Sequence, residues 1–274
     1  MAAEFSEKSL IAVLSPLGDY LQEMVVCGSW TLFIYRNWVL KRGDRAPVRT
    51  LDVDLAVPKR IPLTSEPLEK RLADAGFKED LKGESKPPVI HFKLPGAPYL
   101  EFVTPHKGNR DQGTREVQAG VTAQELRFLE IVLDHYREAP IPGTALRVRV
   151  TTPAAYIYQK GLSFVRRMNP DKKAKDLAYL FDLLYNLPEL RADALRNFPT
   201  LVGRYPDKWY GTFLKNLGRY FPDADGEGVS MVLSQKADPY SDMIGSDRTT
   251  GAVRFRQAAY RAFADFLADL PRSR

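Results

Sequence analysis

Hydrophobic and polar positions change their spacing several times along the chain, and each change marks an element. From Glu7 to Met24 the residues Leu10, Val13, Leu14, Leu17 and Leu21 recur at helical intervals, which predicts a helix with Pro16 as an irregularity. The apolar run Met24–Cys27 predicts a short buried strand closed by Gly28-Ser29. Residues 30–41 fit a helix with Leu32, Phe33, Tyr35 and Val39 inward, and an extended aromatic stretch is the alternative. After a polar loop over 41–49, strict alternation over 50–58 predicts a strand with Leu51, Val53 and Leu55 on one face. A helix over 66–77 stops at Gly76. Two strands, 89–94 and 99–105, are joined by the turn Pro95-Gly96-Ala97-Pro98. Residues 126–136 read equally as helix or strand, and 146–153 as a strand.

Helical spacing then takes over. Residues 154–168 form one predicted helix and 171–187 another, the latter with Leu177, Leu180, Phe181 and Leu184 on its inner face. From Pro188 the pattern stays helical to the end, broken by a Gly/Asp/Ser-rich loop over about 222–251. The chain thus reads as α+β: a mixed sheet with flanking helices, followed by a helical C-terminal region. The change falls near 140–150, where Pro and Gly concentrate.

Composition narrows the picture. The 274 residues suffice for one large or two small domains with a buried core. A hydrophobic fraction of 44% with 27% charged residues is ordinary for a soluble globular protein. A net charge of +6 and a pI near 9.2 favour polyanionic partners. The single cysteine, Cys27, excludes an internal disulfide and reads as a buried thiol. The N-terminus lacks the long apolar run of a signal peptide, and no segment approaches the roughly 18 apolar residues of a membrane span. These features point to a cytoplasmic protein without a membrane partner.

The 50–58 strand carries the chemistry. Asp52 and Asp54 share one face, roughly 6–7 Å apart along the strand. Two neighbouring carboxylates repel and are costly to desolvate unless a cation lies between them. A pair of Mg²⁺ ions would remove the conflict and suit phosphoryl chemistry; a solvated edge-strand face is the plainer alternative. Upstream, Gly28-Ser29 follows a short strand and precedes a helix, a place where backbone amides and a hydroxyl can meet phosphate.

Together "VCGS", "LDVDL" and "YLEFV" resemble the nucleotidyltransferase superfamily, whose fold is that of the catalytic core of DNA polymerase beta. "RTLDVDLAV" is similar to the form seen in bacterial minimal nucleotidyltransferases and abortive-infection-type toxins. The segment around Lys160, Arg166, Arg167 and Lys172-x-x-Lys175-Asp176 resembles the helical block that follows the catalytic sheet in those proteins. The likeness covers about residues 22–186, and the interval between Ser29 and Asp52 is longer than the family pattern.

The resemblance implies a catalytic α/β domain over 1–145 and a helical domain over 146–274. It implies Asp52, Asp54 and Glu101 as catalytic and metal-holding residues, with two Mg²⁺ ions or Mn²⁺ in their place. Gly28, Ser29, Lys160, Arg166, Lys175 and Asp176 are the implied nucleotide-binding residues. The implied activity is transfer of a nucleoside monophosphate from NTP to a hydroxyl of RNA or tRNA, a protein or a small molecule, with an antitoxin-like partner for a toxin-like role. A catalytically inactive nucleotide- or RNA-binding module of the same fold is the second reading, and a plain interaction protein the third.

Other features take blander readings. The basic run at 166–175 also suits a solvated face, and Lys160 could snorkel to solvent. His91, His106 and His135 show no metal spacing and read as structural. The acidic loop 223–228 lacks the terminal Glu of a calcium loop, since position 12 is Ser234. Trp209, Phe213 and Leu217 keep helical spacing, which favours core packing over base stacking.

Overall fold

A computed structural model of the chain describes residues 6–42, 51–83, 87–108, 113–235 and 248–270. Among these, two compact units separate between Thr151 and Thr152. The polar loop expected at 41–49 lies, from residue 43 onward, outside the described residues.

The first unit is built on a nine-stranded mixed sheet. Its strands are β1 (Val25–Val26), β2 (Asp52–Ala56), β3 (Lys78–Lys82), β4 (Val89–Lys93), β5 (Tyr99–Pro105), β6 (Thr114–Gln118), β7 (Val121–Leu126), β8 (Tyr136–Pro140) and β9 (Arg147–Thr151). The main path runs β3-β4-β5-β2-β1-β9-β8, with β7 pairing on β5 and β6 on β7. The long strand β5 serves two neighbours on one side: its first half pairs with β4 and its second half with β7. The central pair β2 and β5 is parallel, with Asp54 opposite Glu101 and Asp52 opposite Tyr99.

Alternation divides the sheet faces. Val53, Leu55, Leu100, Phe102, Ile90 and Phe92 are buried on the face away from the acids. Phe92 and Phe102 meet edge to face at 5.7 Å. Burying each such side chain stabilises the fold by about 1.5–3 kcal/mol, so this face fixes the register that aligns the polar one. Leu51, expected to join this apolar face, lies outside the strand and is 62% exposed.

Helices α1 (Glu7–Leu14), α2 (Trp30–Ile34), α3 (Leu68–Asp74) and α4 (Glu130–Asp134) complete this unit. The helix expected over 7–24 is two pieces: α1 ends at Leu14, and a 3-10 segment over Ser15–Glu23 has Pro16 in its first turn and kinks at Gly18. Helix α2 runs on into a π-helical turn, Tyr35–Val39. Tyr35 donates its hydroxyl to Thr151 O at 3.0 Å, and Thr31 and Thr151 both donate to Val26 O, tying α2, β1 and β9 together. The ambiguous stretch 126–136 resolves into α4, with β8 starting at Tyr136.

The second unit is helical: α5 (Pro153–Ser163), α6 (Pro170–Phe181), α7 (Pro188–Val202), α8 (Asp207–Tyr220), α9 (Glu227–Ser234) and α10 (Arg248–Asp269). Thr152 caps α5 through Ala155 N, and Asn169 caps α6 through Asp171 N and Lys172 N. Tyr158, Phe198 and Phe213 form an aromatic centre with centroids 5.4–5.6 Å apart. Gly161 permits it, because a Cβ there would collide with the Phe213 ring. Phe213 and Leu217 are fully buried as expected, while Trp209 is half-buried and stacked on Tyr205 at 5.5 Å. The expected loop over 222–251 instead contains α9, whose Val229 and Val232 are buried, and residues 236–247 of that stretch lie outside the described residues.

Candidate metal centre

Parallel pairing of β2 and β5 brings residues far apart in sequence onto one patch. Asp52, Asp54 and Glu101 each offer a carboxylate oxygen, and the three oxygens lie within 4.8 Å of one another. All three residues are half-buried. Three carboxylates this close repel one another, and hard oxygen donors at this spacing are what a divalent cation such as Mg²⁺ or Mn²⁺ takes. The donor set therefore fits the metal implied by the sequence pattern. No histidine or cysteine joins this cluster among the described residues.

The Gly-Ser turn is bound to the same site despite the long interval between Ser29 and Asp52. Strand β1 pairs antiparallel with β2, Val26 opposite Leu55. Next along the chain, Cys27 N–H donates to Asp54 O at 3.0 Å, and the buried Cys27 thiol faces the same carbonyl. Gly28 follows with φ +65°, and a Cβ there would collide with Asp54 Oδ2. Only glycine satisfies both the positive φ and the contact. Ser29 is 5% exposed and opens α2, its carbonyl accepting from Leu32 N and Phe33 N. Gly28→Ala is expected to displace the Asp54 carboxylate and to cost about 1–3 kcal/mol through strain. A thermal melt alongside a Mn²⁺ titration checks this, and unchanged metal affinity would contradict it.

The surroundings of the carboxylates include two rings: His91, which the sequence alone presents as structural, and Tyr99, which it does not single out. His91 lies opposite Glu101 in the β4–β5 pairing, with Nε2 3.5 Å from Glu101 Oε2. Its ring stacks on Tyr99 at 4.3 Å and 9°. Burial pushes the His91 pKa down, opposed by Asp80 and Asp52, which favours a neutral imidazole near neutral pH. Burial first, and then the charges of Asp52, Glu101 and Asp54, push the Tyr99 phenol up, so it stays protonated. The alternation His91-Phe92-Lys93 beside Tyr99-Leu100-Glu101 was the available signal, but it speaks only once the β4–β5 register is known.

The remaining sequence-derived residues sit in the second unit. Lys160 is 6% exposed, and its Nζ donates to Asp176 Oδ1 at 2.5 Å. Tyr156 and Tyr179 hold the ammonium from two sides, 5.3 and 5.5 Å from their centroids. Arg167 Nε bonds the other Asp176 oxygen at 3.0 Å. Arg166 and Lys175 are exposed. Burial pushes Asp176 up, but the charges of Lys160 and Arg167 outweigh it and hold the carboxyl below its ordinary value.

With its native pKa below the unfolded value of about 4, Asp176 contributes stability that is complete above that value and is lost as pH falls toward the native pKa. Thermal melts over an acid series are expected to show this loss, and a Lys160→Met/Asp176→Leu double variant should be less acid-sensitive. Parallel acid profiles would contradict the assignment.

A family model described as nucleotidyltransferase matches residues 8–198. That stretch contains the three carboxylates, Gly28-Ser29 and the Lys160–Asp176 pair. No curated protein and no solved structure matches the chain.

Proposed function

The chain belongs to the nucleotidyltransferase family, and from that premise we propose that it transfers a nucleoside monophosphate from an NTP to an acceptor hydroxyl, releasing pyrophosphate. The observation that carries this reading is the convergence of Asp52, Asp54 and Glu101, with oxygens within 4.8 Å, beside the Gly28 turn. In the transfer, the acceptor oxygen forms a bond to the α-phosphorus, and the bond from that phosphorus to the bridging oxygen of pyrophosphate breaks.

In this reading Asp52, Asp54 and Glu101 hold Mg²⁺, with Mn²⁺ as the alternative. The bound metal would lower the pKa of the acceptor hydroxyl and offset charge on the phosphates. Glu101 receives the proton of the attacking hydroxyl. Gly28 lets the backbone approach the terminal phosphates, and Ser29 stands at the start of α2 beside them. Within the second unit, Lys160 and Asp176 form a buried anchor, and Arg166 and Lys175 are exposed cations.

The test follows the label. Protein, Mg²⁺ and an acceptor-containing extract are incubated with α-labelled or γ-labelled NTP, with Asp52→Asn as control. Label reaching the acceptor only from the α position supports the reading. Label arriving from the γ position would make it a kinase-type reaction and overturn it, and NTP binding without any transfer would favour the inactive nucleotide-binding module.

A further inference from the structure

We propose that the sheet face formed by β5, β4 and β3 beside the carboxylates is the acceptor subsite, and that it takes the end of a single-stranded polynucleotide. The inference rests on the transferase reading, which sets the side from which an acceptor enters. At the α-phosphorus the incoming oxygen and the departing pyrophosphate lie roughly in line. With the terminal phosphates at Gly28-Ser29, just past β1, the opposite side of β2 is β5, followed by β4 and β3.

The residues on that side have a particular chemistry. The register puts Asp54, Glu101, His91 and Asp80 in one row across four strands, and Tyr99, Lys93 and Lys78 in the next. The diagonal from Tyr99 through His91 leads to Lys82 on β3. The rings of Tyr99 and His91 stand stacked and nearly parallel, directly beside Glu101. Lys82 and Lys93 are about half exposed, at 50% and 52%, and both bind Asp80, with Lys82 at 2.9 Å. Two ammoniums on one carboxylate leave that trio with one net positive charge, at the far end of the face from the acidic cluster.

Flat rings continued by cations are the arrangement that stacks a nucleobase and meets the next phosphate. Lysines alone are also what a protected sheet edge carries, and β3 is an edge strand. Edge protection does not account for a ring pair on β4 and β5, inside the sheet and against a metal-holding carboxylate. A protein hydroxyl as acceptor would need neither the rings nor the ammoniums.

The test is fluorescence anisotropy with a short labelled single-stranded RNA over a KCl series, without metal, so that no turnover is required. Lys82→Gln/Lys93→Gln is expected to weaken binding about tenfold and to flatten the slope of log K against log salt by about 1.4, for two phosphate contacts at about 0.7 each. His91→Ala is expected to weaken it about tenfold through lost stacking, with His91→Phe restoring most of it. Melting curves confirm folding of each variant, and Lys93→Gln alone provides a milder one. NTP affinity should not change in the lysine variants.

Wild-type affinity and slope in the lysine variants, or no RNA binding by the wild type, would overturn the subsite. So would labelled product from extract that is destroyed by protease and not by nuclease. If the lysine variants lose RNA while the wild type transfers nothing, the transferase reading fails and the subsite stands. If transfer proceeds with an unchanged acceptor KM in the lysine variants, the reverse holds.

Discussion

Asp54→Asn is expected to lower nucleotidyl transfer by on the order of a thousand-fold or more, with the melting temperature unchanged or raised. The first half follows from position. Asp54 stands opposite Glu101 in the β2–β5 pairing, shares its face with Asp52, and lies against Gly28. Asp54 thus joins the Gly-Ser turn to the carboxylate cluster. A thousand-fold loss corresponds to about 4 kcal/mol of transition-state stabilisation, a plausible share for charge neutralisation by a held cation. The second half follows from repulsion. Removing one of three carboxylates with oxygens within 4.8 Å relieves like-charge strain in the metal-free protein. The Asp54 carbonyl that accepts from Cys27 is main chain and survives the substitution. Initial rates with α-labelled NTP and a thermal melt check both halves. A variant that keeps activity, or that loses activity only because it unfolds, would contradict the account.

Lys160→Met is expected to destabilise the second unit by about 3–5 kcal/mol, because it leaves Asp176 buried with half its compensation gone. Both partners are nearly inaccessible, at 6% and 4% exposure, and the remaining cation, Arg167, is a partly exposed side chain. For a unit of this size the melting temperature falls by on the order of 10 °C or more. The Lys160→Met/Asp176→Leu double variant should recover most of the loss, since removing both charges of a buried pair is far cheaper than removing one. Chemical denaturation of the two single variants and the double completes the cycle. An additive double variant would show that the pair does not act as a unit.

How much of this was legible in the sequence depends on whether local spacing or long-range register decided it. The strand holding Asp52 and Asp54 was readable because one of its faces is core and the other is not. Helices α5 and α6 were readable from their apolar stripes, and Leu177, Leu180 and Phe181 are buried as expected, as is Leu184 in the π-helical turn Asp182–Asn186 that replaces the last part of the expected helix. Strand β3, Lys-Glu-Asp-Leu-Lys, was not, because it is an edge strand exposed on both faces and therefore carries no alternation. Strand β8 contains Arg137 and Glu138 and ends in Pro140, where the Pro/Gly-rich domain boundary was expected, and its pairing with β9 makes it a strand. Strands β6 and β7 were likewise missed, their polar residues masking the buried Val117, Val121 and Ala123.

The site divides in the same way. Glu101 could be named from its apolar flanks, and the register brings it to Asp54. His91 could not be placed beside Glu101 without knowing that β4 and β5 pair with these residues opposite each other. The long interval between Ser29 and Asp52 looked like a departure from the family pattern. Its effect disappears because β1 and β2 pair directly, whatever length joins them.

The most direct test of the central claim is divalent-cation binding, measured without turnover by the electron paramagnetic resonance of Mn²⁺ titrated into the wild-type protein and into Asp52→Asn and Asp54→Asn. The account predicts that Mn²⁺ binds the wild type, is displaced by Mg²⁺, and binds each variant at least an order of magnitude more weakly. Equal Mn²⁺ affinity in all three proteins would show that the carboxylates of β2 and β5 do not form the metal centre, and the proposed mechanism would fall with them.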